Sequence, residues 1–188
     1  FPKLSDLIGW KCIQRRNIGF AYSYLQGYDL FASIDDDNIP YDNWGKKILL
    51  TDDVIATKVS PENDLVVDPI YCTEYKSLWH RGFPIQLLTD RAVDIQQSLG
   101  SFSIQANFWD GDPDVDAICR MEHRPEVTFH PNNFPFYTTK FSPFNSQNTI
   151  LKREVIPHYF MFPEIGRMDD IWASYYVEAL GYKVSMVR

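Results

Sequence analysis

Three consecutive carboxylates, Asp35, Asp36 and Asp37, follow the apolar run Phe31-Ala32-Ser33-Ile34 and precede Asn38. Like charges side by side repel, so the cluster is either a solvated turn or the seat of a cation. If the apolar strand runs on through it, Asp35 and Asp37 alternate and face one side. Two hard oxygen donors so placed suit Mg²⁺ or Mn²⁺, which keep several waters and complete their shell with a diphosphate. An ion of that kind offsets the negative charge that develops on a departing phosphate.

Other residues could serve the same chemistry. Asp169 and Asp170, in GRMDDIWASYY, stand at the start of an apparent helix. The helix dipole there favours the ionised carboxylate, as a base that takes a hydroxyl proton requires, and an ordinary acidic cap is the alternative. Arg15, Arg16 and Asn17, in RRNIGF, can reach a phosphate, brace the aspartates or form a solvated basic face. Asp112, Asp114 and Asp116, in DGDPDVDAICR, form a second acidic cluster, in which Asp114 can also cap a helix. Asn145, Gln147 and Asn148, in PFNSQNT, offer the neutral donors and acceptors that sugar hydroxyls need, or simply satisfy their own loop. Trp44, Trp79, Trp109 and Trp172 either stack on a sugar or fill the core. His80, His123, His130 and His158 lack ligand spacing and read as non-ligands. Cys12, Cys72 and Cys119, odd in number and widely spaced, read as free thiols.

The elements that must position these groups alternate in type. A helix is expected over Leu7–Gln26, with stripe residues Ile8, Cys12, Ile18, Tyr22 and Leu25, weakened by Gly9 and Gly19 and stopped by Gly27. A strand over Asp29–Ile34 then delivers the aspartates at its C-terminal end, the edge where α/β sheets bind ligands. Strands are expected at Lys47–Leu50, Val54–Val59, Leu65–Cys72 and Phe102–Trp109, with Ile85–Leu88 left open. A short helix is expected over Asp114–Arg120, and residues 123–149 read as ordered loop with short strands. Asp169 or Asp170 caps the last helix, whose face is Ile171, Trp172, Tyr175, Ala179 and Leu180 and whose stop is Gly181. Tyr182–Val187 is a final strand. The pattern predicts one α/β domain over residues 1–188, with a mixed central sheet flanked by helices.

Composition removes some function classes. A content of 45% hydrophobic residues supports a packed core, and a net charge of −7 without any basic run argues against nucleic acid or anionic membrane as partner. No apolar stretch is long enough to span a bilayer, and no signal peptide is apparent. The chain begins with Phe1 rather than Met, the expected mark of a processed or trimmed form of a longer protein.

The blocks RRNIGFAYSYLQGYDLFASIDDDN, RGFPIQLL, DGDPDVDAICRM, SPFNSQNT and RMDDIWASYY occur in that order and cover residues 15 to about 180. Together they resemble the STELLO-like family of glycosyltransferases. The first and last blocks are also similar to the reversibly glycosylated polypeptides, the UDP-arabinopyranose mutases, which share a triple Asp and a late helix beginning Asp-Asp. The resemblance implies a GT-A type fold, a DXD motif at Asp35-Asp36-Asp37 and a Mn²⁺ or Mg²⁺ cofactor. It implies a nucleotide-diphospho-sugar donor, a UDP-sugar first among them, and transfer to a glycan or other hydroxyl acceptor, with inversion expected. Asp170 or Asp169 becomes the base. Arg15, Arg16, Asn17, Asn145, Gln147 and Asn148 fall on the donor side, and Trp109, Asp112, Asp114 and Asp116 on the sugar or acceptor side. Only 34 residues precede Asp35, fewer than GT-A enzymes place there to grip the nucleotide base. That unit is therefore missing, replaced or outside this chain, as is a late His ligand. Two alternatives stand beside the transferase: a non-catalytic glycan- or partner-binding module of the same descent, and a glycoside hydrolase built on paired carboxylates.

Overall fold

Gly27, with φ 77°, ends a helix at the residue where the sequence places its stop, but the helix is shorter than expected. The computed structural model describes residues 2–188. In it α1 (Pro2–Ile8) and α2 (Arg16–Gln26) replace one helix over Leu7–Gln26. Between them Gly9 at φ 80° and Lys11 at φ 60° leave the right-handed region, so the helical ladder cannot continue, and a 3-10 turn at Ile13–Arg15 restarts it. The break resets the buried face. Phe20, packed against Phe31 and Tyr159, and Ser23 are buried, whereas Tyr22 and Leu25 of the expected stripe are exposed.

The strands are β1 (Leu30–Ile34), β2 (Val54–Pro61), β3 (Val93–Gly100), β4 (Ile104–Asn107), β5 (Phe136–Thr138), β6 (Asn148–Lys152) and β7 (Val184–Val187). They form one mixed sheet in the order β1-β6-β4-β7-β5-β2-β3. β4 runs parallel to β7 and β2 parallel to β5, and the other neighbours are antiparallel. Two more helices complete the fold, α3 (Ala117–His123) and α4 (Asp169–Ala179). The expected mixed α/β class therefore holds.

Side chains alternate across the sheet as the two-residue strand period requires. Ile104 and Ala106 of β4, Leu151 of β6, and Val184 and Met186 of β7 pack with Phe20 of α2 and with Ala173 and Val177 of α4. Ile150 of β6, Tyr137 of β5 and Ala56 of β2 face the other way, against Leu50 and Phe102. A third cluster, which includes Trp79, Cys119 and Phe129, lies under α3.

Several expected boundaries shift, each for a local reason. Lys47–Leu50 and Leu65–Cys72 form no strand. Leu49 N–H donates to the Gln105 side chain at 2.8 Å, and the N–H groups of Ile70 and His80 donate to Asp68 at 3.1 Å each. Side chains thus take the donors that a strand partner would have taken. The strand over Phe102–Trp109 shortens to β4, Ile85–Leu87 is a 3-10 turn, and β3 was not expected from VDIQQSLG. α3 begins after Asp116, whose carboxylate accepts Ile118 N–H at 2.8 Å; Asp116, not Asp114, is the cap. α4 is entered through Met168, so Asp169 and Asp170 are its first two residues and not its cap. Its buried face is Ile171, Ala173, Ser174 and Val177, while Trp172 and Leu180 are exposed, because the helix also packs its polar first turn inward. No helix among the described residues is long and apolar enough to cross a membrane.

Candidate functional site

β1, β4 and β7 point the same way and β6 runs against them, so three strand ends and one strand start meet at one sheet edge. Asp35 leaves β1 there, Phe108 to Asp110 leave β4, Arg188 leaves β7, and Asn148 opens β6. Short connections through Gly27 and Gly181 fold α2 and α4 back against the strands that follow them, which returns both helix N-termini to this edge. Arg16, Asp169 and Asp170 arrive by that route. The result is a cleft of about 2030 Å³.

Asp35 is half-buried and closes a turn, with Asn38 N–H donating to its carbonyl at 3.3 Å. The strand stops at Ile34, so Asp36 and Asp37 lie in that turn and do not continue the strand alternation; three adjacent carboxylates separate better on a turn than on a ladder. Asp35 and Asp37 nevertheless both line the cleft, while Asp36 is exposed outside it. Gln147 fixes the turn. Its carbonyl accepts from Asp35 N–H at 2.9 Å and from Asn38 Nδ2 at 3.0 Å. Arg16 pairs with the Asp35 carboxylate and also donates to the Ser146 carbonyl, at 3.0 Å, and to its hydroxyl.

A second arginine organises the adjoining wall, which meets Arg16 at the Ser146 hydroxyl, a donor to Asp170 at 3.3 Å. Arg81 Nε and Nη2 donate to Asp114 at 2.8 and 2.9 Å, and Nη1 and Nη2 donate to Asp170 at 2.8 and 3.0 Å. Asn145 Nδ2 donates to Asp114 at 2.8 Å. Asp170 further accepts from Ser146 N–H at 3.2 Å and Ile171 N–H at 2.9 Å. Burial alone would raise the Asp170 carboxyl, but the hydrogen bonds and charge of Arg81 outweigh it and hold the group below the usual carboxylate range. Asp169 differs. Gln14 Nε2 donates to it at 2.9 Å, and no arginine touches it. Burial raises its carboxyl above the ordinary value, with the adjacent Asp170 charge adding to the rise.

The edge thus gathers Arg16, Asp35, Asp37, Trp109, Asp112, Asp114, Asp116, Gln147, Asn148, Asp169 and Asp170 around one space, from segments far apart in sequence. Besides Asp36, three of the residues picked from sequence point elsewhere. Arg15 bonds Ser5 and Gly9 and lies over the Trp10 ring, Asn17 exchanges hydrogen bonds with the Met161 backbone, and Asn145 is buried behind Asp114. Among the tryptophans, Trp44 and Trp109 line the cleft, Trp79 is buried and Trp172 faces outward. Burial pushes the Cys72 thiol up to about 12, which leaves it protonated at neutral pH, and raises Cys119 as well. Among the described residues no group of three or more His, Cys, Asp or Glu is arranged to hold a metal ion.

Sequence reasoning gave no role to Arg81, His80, Gln14 or Tyr41. Arg81 carried one signal, the glycine that follows it. Gly82 has φ 91°, and a Cβ there would meet Ile171 Cγ2 at 2.3 Å, so the residue after Arg81 is pressed against the first turn of α4. His80 is buried, with Nδ1 2.6 Å from the Arg81 carbonyl, and burial lowers its imidazole below the usual value. It is therefore neutral and supports the loop. Tyr41 donates to Asp110 at 2.8 Å, as does Arg188 at 2.7 Å, which ties the residues after the acidic turn to the end of β7. No protein-family model and no curated protein matches the chain.

Proposed function

We propose that the chain is a metal-dependent glycosyltransferase domain of GT-A type, akin to the STELLO-like family, which moves a sugar from a nucleotide-diphospho-sugar to an acceptor hydroxyl. The observation that carries the reading is the convergence of Asp35 and Asp37, the Asp112, Asp114 and Asp116 cluster, the 146–148 stretch and Asp169 on one cleft at the C-terminal ends of parallel strands. The donor set fits Mn²⁺ or Mg²⁺. Asp35 and Asp37 are hard oxygen ligands, and such ions use one or two carboxylates and take the rest of their shell from substrate phosphates and water. Asp35 and Asp37 would hold the ion, which when bound offsets charge on the departing diphosphate. Arg16, already beside Asp35, supplies a second positive charge for that diphosphate.

Asp169 is the better base of the adjacent pair. Arg81 engages both Asp170 oxygens and lowers its proton affinity, whereas a raised carboxyl accepts a proton more readily at working pH. Asp170 then acts as a positioning residue through Arg81 and Ser146. The pairing of Asp114 and Asp170 on one guanidinium also disfavours the glycoside hydrolase reading for these two carboxylates, since that chemistry keeps one of its acids protonated. One observation favours the non-catalytic alternative: Arg16 occupies Asp35, which would weaken cation binding.

A thermal-shift screen against UDP-, GDP- and dTDP-sugars, each with and without Mn²⁺, separates the two. A ligand bound only by the native state raises the melting temperature by mass action. The transferase reading expects a rise that needs both one nucleotide class and Mn²⁺. Absence of any rise across the set would overturn it in favour of the binding module.

A further inference from the structure

Trp44 sits on the segment that follows the acidic turn, and it is held at both ends. Its backbone N–H donates to the Tyr41 carbonyl at 2.9 Å, and its ring Nε1 donates to Asn148 Oδ1 at 3.2 Å. The ring lines the cleft, with 39% of the residue exposed. A large aromatic pinned by two hydrogen bonds yet open to solvent is a rigid stacking surface and not a core filler. Beneath it Asn107 Nδ2 also donates to Asn148 Oδ1, at 3.2 Å, so the Asn148 NH₂ is the group left to face the cleft. Beside it Gln147 Oε1 is buried without a hydrogen-bond partner. A donor and an orphaned acceptor on adjacent residues complement the C=O and N–H of a heterocycle's amide-like edge. The position is also right for a nucleotide. Gln147 carries the Asp35 turn on its carbonyl, and Asn148, which holds the Trp44 ring, is the next residue along the chain.

We propose that Trp44, with Asn148 and Gln147, forms a nucleobase subsite that stacks the base of a nucleoside diphosphate whose phosphates lie toward Asp35. The inference rests on the transferase reading and assigns base binding to the chain after the acidic turn instead of a segment before it.

The test is calorimetric titration of the whole chain with UDP, GDP and inorganic pyrophosphate, each with Mn²⁺, for wild type, Trp44→Ala and Trp44→Phe. Loss of one base–aromatic stack predicts that Trp44→Ala weakens the preferred nucleotide by about 5- to 150-fold. Pyrophosphate affinity stays within about twofold, because nothing in the stack touches phosphate. Trp44→Phe, which keeps a ring but no N–H, recovers most of the loss, and melting curves check that both variants fold. Nucleotide and pyrophosphate weakening equally, or nucleotide affinity unchanged in Trp44→Ala, would overturn the subsite while leaving the acidic site in place. If wild type binds neither nucleotide nor pyrophosphate, the transferase reading fails first and the subsite goes with it.

Discussion

Arg81 reaches two carboxylates through four hydrogen bonds of 2.8 to 3.0 Å, and both acids spend further lone pairs on Asn145, Ser146 and Ile171. Arg16, which meets the same network at Ser146, holds one carboxylate, Asp35, and the neighbouring Asp36 and Asp37 stay exposed on their turn. The two walls use the same residue types differently. Where every oxygen is engaged, the charges hold the loops together and have little left for a ligand. Where carboxylates remain free beside one arginine, they have capacity to bind something that arrives. Aspartate count alone would have ranked the walls as equals.

Breaking the Arg81 wall should have the largest effect on stability. Arg81→Met leaves Asp114 and Asp170 buried without their cation and should cost about 3–5 kcal/mol, read as a lower midpoint in urea denaturation. A variant as stable as wild type would show that the four hydrogen bonds contribute nothing net. The same wall should set the acid limb. Because the folded Asp170 carboxyl is depressed, its contribution is complete above the unfolded value of about 3.9 and is lost as pH falls through the lower folded value. Asp170→Asn should flatten that limb; a melting temperature with unchanged pH dependence below 4 would remove Asp170 as its source.

The next effects concern function. Asp169→Asn should lower sugar transfer by about 10²–10⁴-fold with donor binding retained, and wild-type turnover would return the role of base to Asp170. Asp37→Ala should abolish Mn²⁺-dependent donor binding in calorimetry while changing stability by no more than about 0.5 kcal/mol, as expected for an exposed residue. Unchanged binding would sink its assignment to the ion. The smallest effect belongs to Asp36→Ala, which should alter neither stability nor donor affinity, since Asp36 does not line the cleft. A loss there comparable with Asp37→Ala would mean that the turn rearranges to use all three acids.

What the sequence disclosed follows from this contrast. Periodicity found β1, β2, α4 and β7 because their apolar residues answer to a regular ladder, and spacing found the aspartates because three in a row is unusual. The loops were opaque. Residues 62–92 carry almost no regular structure, yet Val66, Val67, Ile70, Leu78 and Phe83 within them are buried. The Asn63 and Asp68 side chains take the N–H groups of Val66, Ile70 and His80, Val67 donates to the distant Phe141 carbonyl, and Arg91 pairs with Asp68 at 3.0 Å, none of which has a period to detect. Arg81 was hidden for the same reason. Its partners lie 33 and 89 residues away, and apart from the glycine that follows it nothing local distinguishes a buried guanidinium from a solvated one.

The sheet order has a kinetic consequence. No two neighbouring strands are joined by a tight turn; even β2 and β3 are connected through residues 62–92, and β1 waits for β6. Each pairing must close a long loop before any hydrogen bond repays the lost chain entropy, so folding has no local hairpin from which to nucleate. The expected refolding is slow, in about the millisecond-to-second range of proteins dominated by non-local contacts. A stopped-flow trace complete within microseconds would contradict it. The rim of the cleft, formed where β1 from early in the chain meets β6 and β7 from late in it, is then among the last parts of the molecule to exist during folding.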